Sequence, residues 1–131
     1  MLYAINGSQV KPMTDIPVKR RAFYNSIIAN LAPSDLDKIK QVLNDYFDNY
    51  VEDVQVSSFV PGNNWEGTPY QQIYHACNEN MEHSGFMFGL ILWKVMIERE
   101  DHWGFTNAQD SFLDRDINGK VYFRINDPGV L

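Results

Sequence analysis

The run GFMFGLILW, residues 85–93, leaves this chain the least freedom. A helix that is apolar all round must be buried all round. Residues 81–99 are therefore expected to form a helix through the centre of the fold. Lys94 ends the apolar run far short of the roughly 20 residues that a membrane-spanning helix needs. Gly85 and Gly89, four positions apart, would let another element approach closely.

Such a helix needs amphipathic partners. Leu36, Ile39, Val42, Leu43, Tyr46, Phe47, Tyr50, Val51 and Val54 recur every three or four residues, which predicts a second helix over 34–54. Ser34 followed by Asp37 resembles a capping box at its start. An earlier helix, 17–31, takes Pro17 in its first turn and ends before Pro33; Phe23, Ile27 and Leu31 face inward. Lys19, Arg20 and Arg21 oppose the dipole of that helix, which implies a nearby acidic side chain. Thr68, Pro69 and Gln71 suit N-cap, N1 and N3 of a short helix over 69–78.

The remaining segments read as strands. Asn6-Gly7 signals a hairpin near the start, and VQVSSFVPG a short strand ended by Pro61-Gly62. Near the end, Asn118-Gly119 is the favoured centre of a two-residue hairpin turn between 111–117 and 120–125. That register would pair Ile117 with Lys120 and put Asp114 and Asp116 on the face of Val121 and Phe123. The expectation is one α+β domain over 1–131, about four helices packed with a small antiparallel sheet. At 131 residues and 44% hydrophobic content, the chain can bury a core without metal or disulfide support.

Charge is unevenly placed. No Lys or Arg occurs between Lys40 and Lys94, a stretch that carries Asp45, Asp48, Glu52, Asp53, Glu66, Glu79 and Glu82. The net charge of −6 is thus concentrated in the middle. An acidic field repels nucleic-acid phosphates and draws in basic proteins. Trp65, in the polar loop PGNNWEGTP, either folds back over the core edge or serves as an interface anchor.

Three constellations could carry chemistry, and none reaches an assignment. His75, Cys77, Glu79, His83 and His102 have the ligand types of a soft-metal site but not the spacing of one. His75 and Cys77 lie on different sides of a helix, and His75, Glu79 and His83 align only if the helix runs unbroken through Asn78 and Asn80. Cys77 falls on the inward face with Tyr70, Ile73 and Tyr74, where a thiol is an inert small hydrophobe. Asp114, Asp116, Asn118 and Gly119 open like an EF-hand loop, but the closing position is Ile125, where calcium needs a bidentate Glu.

The expected function is a small acidic protein-binding module that neutralises a positively charged protein partner, as an immunity protein, antitoxin or inhibitor does. Contacts would come from Asp45, Asp48, Glu52, Asp53, Trp65 and Glu66. No catalytic residue, metal, cofactor, nucleic acid or membrane is expected, and a homo-oligomer is compatible with the pattern. The lone cysteine and the absence of a signal-like start point to the cytoplasm. The alternative is a small enzyme or ligand-binding domain with a pocket near Trp65 and the histidines.

Overall fold

A computed structural model gives the architecture and describes residues 1–6, 9–56, 64–110, 115–127 and 129. In chain order the elements are β1 (Leu2–Asn6), β2 (Gln9–Met13), α1 (Val18–Ile28), α2 (Pro33–Asp48), β3 (Val54–Val56), α3 (Gln71–Ala76), α4 (Met81–Glu98), β4 (Trp103–Asp110) and β5 (Arg115–Arg124). The expected α+β class with four helices is the one formed. The strands make one five-stranded sheet, ordered β2-β1-β4-β5-β3. Neighbours are antiparallel except β1 and β4, which run parallel, so the sheet is mostly antiparallel. Among the described residues, no helix is long and apolar enough to cross a membrane.

Strand alternation decides which side is covered. Leu2, Trp103, Phe105 and Tyr122 are buried, with Leu2 opposite Trp103 and Phe105 opposite Tyr122. Helices α2 and α4 pack on that face: the Phe47 ring meets Trp103 at 5.3 Å and Trp93 meets Phe105 at 4.5 Å. Ile39, Leu43 and Phe47 of α2 and Ile91, Leu92 and Met96 of α4 are wholly buried. Each such side chain stabilises the fold by about 1.5–3 kcal/mol through removal from water. Of the α1 cations, Arg21 has an acidic neighbour, Asp15 at 3.5 Å, which also lies 3.8 Å from Lys94 of α4.

Several expectations are corrected. Helix α2 starts at Pro33, with Ala32 as N-cap and no side-chain cap, so Ser34 lies inside it. It stops at Asp48 and does not run to residue 54. Asn49 leaves the helical region and its side-chain amide donates to the Asp45 carbonyl at 2.8 Å, which closes the last turn. Val51 is then 92% exposed and Val54 joins β3, so the apolar stripe ends at Phe47 and Tyr50. Thr68 does not cap α3; its hydroxyl donates to the Trp65 carbonyl, and the helix begins at Gln71.

β1 and β2 pair antiparallel, with Asn6 opposite Gln9; Gly7 of the expected turn lies outside the described residues. Asn118 and Gly119 lie within β5 and not at a turn; β4 and β5 close through Asp110 and Arg115. Asn107 pairs with Lys120 and Gln109 with Asp116, so the register slips at Asn118-Gly119. The first half of α4 also departs from the expectation of all-round burial. Met81 is 80% and Phe86 46% exposed, and a Cβ placed on Gly85 or Gly89 meets nothing within 4 Å. Among the described residues no element approaches those glycines closely, and α3 is only six residues long.

Candidate functional site

Asp45 and Asp48 sit in the last turn of α2, and Glu52 and Asp53 in the connection to β3; all four are exposed. Two arginines from the far end of the chain reach them. Arg99, its side chain only 8% exposed, donates from Nε and Nη2 to the Asp101 carboxylate at 2.8 and 2.9 Å. Its Nη2 also donates to Asp48 at 2.8 Å, and its Nη1 to the Asn44 backbone and side-chain oxygens at 3.1 and 3.2 Å. Arg124 lies 3.6 Å from both Asp101 and Asp53, donates to the Tyr50 carbonyl at 2.8 Å, and stacks over Trp103 at 4.5 Å. Asp48, Arg99, Asp101, Arg124 and Asp53 thus alternate in charge and tie the end of α2 to α4 and β5.

Burial works against charge in this network, and pairing overcomes it. Burial pushes Asp101 up, but hydrogen bonds from Arg99 and the charges of Arg99 and Arg124 hold its carboxyl below the usual range. The buried Trp103 Nε1 also favours the Asp101 carboxylate, but it meets no hydrogen-bond geometry among the described residues. Burial likewise pulls Arg99 down while Asp101 and Asp48 more than restore it. Two of the four α2-end carboxylates are therefore partly neutralised. Asp45 and Glu52 make no ion pair among the described residues, and Val51, between Asp48 and Glu52 in the chain, is 92% exposed.

Trp65 and Glu66 belong to a second place. The Trp65 ring packs at 6.2 Å from Tyr70 and 5.9 Å from Phe88, so it does fold back on the core edge. With Glu66, Gln71, Tyr74, Met81, Ser84 and Gly85 it also lines a groove of about 430 Å³. Tyr74, expected to face inward, is half-buried and forms part of this wall. Glu66 is exposed and has no ion pair among the described residues. The groove could not be read from the sequence, because it depends on how α3 stops short of covering α4.

The histidines do not converge. Asn78 and Glu79 take positive φ of 55° and 60°, which breaks the chain between α3 and α4. His75 lies 3.6 Å from Glu79, His83 packs on Phe23 with ring centroids 5.5 Å apart, and His102 shares a 3.1 Å hydrogen bond with Tyr3. None lines the groove. Among the described residues, no three His, Cys, Asp or Glu side chains are placed to hold a metal ion. Cys77 is buried, and burial raises its thiol pKa against an opposing hydrogen bond with Ser84. Of the EF-hand-like stretch, Asp114 lies outside the described residues, and Asp116, Asn118 and Gly119 are in β5. No protein-family model matches the chain, and no curated protein or solved structure is significantly similar to it.

Proposed function

We propose that this chain is a protein-binding module that engages a positively charged protein partner, in the manner of an immunity protein, antitoxin or inhibitor covering a basic site. The observation that carries the reading is the acidic end of α2. Asp45, Asp48, Glu52 and Asp53 lie within one turn-and-connection, around a Val51 that is 92% exposed. Arg99 and Arg124 hold the backbone of this projection at Asn44 and Tyr50, and among the described residues neither Asp45 nor Glu52 makes an ion pair. Carboxylates at a rim chiefly speed encounter, and an apolar side chain among them adds contact area. The buried, unpaired Cys77 suits a reducing compartment, which supports a cytoplasmic location.

Asp45→Lys with Glu52→Lys tests the reading without touching a residue of the ion-pair network. Affinity capture from the native lysate at low salt should retain a basic protein that high salt releases. The double variant should slow its association by roughly tenfold or more. Binding indifferent to both salt and charge reversal would sink the proposal. The groove beside Trp65 favours a second reading, a small ligand-binding domain. None of the three histidines is among its described lining residues.

A further inference from the structure

We infer that the groove beside Trp65 seats a basic side chain, an arginine or lysine projecting from the partner. The inference rests on the reading that the partner is positively charged, and adds where and how one of its cations is held. Trp65 and Tyr74 supply aromatic faces, whose π-electrons attract a guanidinium or ammonium group. Among the described residues that line the groove, Glu66 is the only charged one, and its carboxylate complements a cation. Met81, 80% exposed, offers the apolar surface along which a long aliphatic stem lies while its charged head stays near water. The positive end of α4 lies beside the same place and would repel a cation, but Asn80 accepts the His83 N–H at 2.9 Å and Glu82 in the first turn offsets that repulsion.

Gly85 makes the idea sharply testable. It lies on α4 with open space where a side chain would be, so a larger residue fills the groove and is also a better helix former. The probe is butylguanidinium, with butylurea as the neutral match, titrated against the whole protein and followed by NMR of the Met81 methyl and Tyr74 ring. Saturable shifts confined to those groups are expected with butylguanidinium. They should be about two- to fivefold weaker with butylurea and in Glu66→Gln. Gly85→Leu, still folded by its amide spectrum, should abolish them. No saturable shift, equal binding of both probes, or shifts that survive Gly85→Leu would each overturn the inference. So would self-association that Gly85→Leu abolishes, since that assigns the groove to a second copy. The outcome is independent of the Asp45/Glu52 experiment: the groove can bind the probe while that salt test fails, and the reverse.

Discussion

Asp101 is the residue on which the acidic end of α2 depends, because both arginines that reach that end are held by it. Asp101→Asn should lower stability by about 1.5–3 kcal/mol, the cost of weakening hydrogen bonds to charged groups, as read by urea denaturation near neutral pH. Its carboxyl titrates below its ordinary 3.8 in the folded chain. The contribution is therefore complete above about that pH and fades as pH falls through the lower folded value. The Asn variant should show a shallower loss of stability on that acid limb; equal slopes would mean the pairing contributes nothing. None of this was legible in the sequence. The acids could be counted, but Asp48 meets Arg99 and Asp53 meets Arg124 across long separations with no periodic signature. Cys77 was legible, because its burial follows from local helical spacing.

At the scale of elements, hydrophobic pattern and start signals located the four described helices, and helix ends were where they failed. The stripe through Tyr50, Val51 and Val54 continued in the sequence after Asn49 had already closed α2. Periodicity says which residues could share a face, not whether backbone hydrogen bonds continue that far. The Asn118-Gly119 signal coincides with an irregularity in the β4–β5 ladder and was misplaced as a turn. Glycine makes the contrast quantitative. Gly89→Ala should stabilise the protein by about 0.5–1 kcal/mol, since a helical Cβ there meets open space. Gly104→Ala should destabilise it by about 1–3 kcal/mol, because its Cβ would come within 2.5 Å of Phe123 and 2.9 Å of Ile5. Thermal or urea melts of both variants check the signs; a stabilising Gly104→Ala would contradict the packing described.

For the molecule as a whole, one buried thiol reports on global opening. Cys77 is 2% exposed and its thiol is held above the usual pKa, so iodoacetamide should label the native protein slowly and the urea-unfolded protein fast, by mass spectrometry. Rapid native labelling would place Cys77 outside the core. Fold class was legible at this scale because it follows from the summed patterns of many residues. The acidic projection was half legible, as a list of carboxylates without their partners. The groove was not, being a gap between elements that no single segment encodes.

The parallel pairing of Leu2 with Trp103 has a consequence for how the chain comes together. β1 cannot find its neighbour in the sheet until β4 has been synthesised, after all four helices. Contacts between residues so far apart must pay a large loop-closure entropy before any reward arrives. On the ribosome, the early β1–β2 hairpin therefore waits with one edge unclaimed while α1 to α4 emerge. The final sheet is assembled last, by a strand that arrives from the far end of the chain.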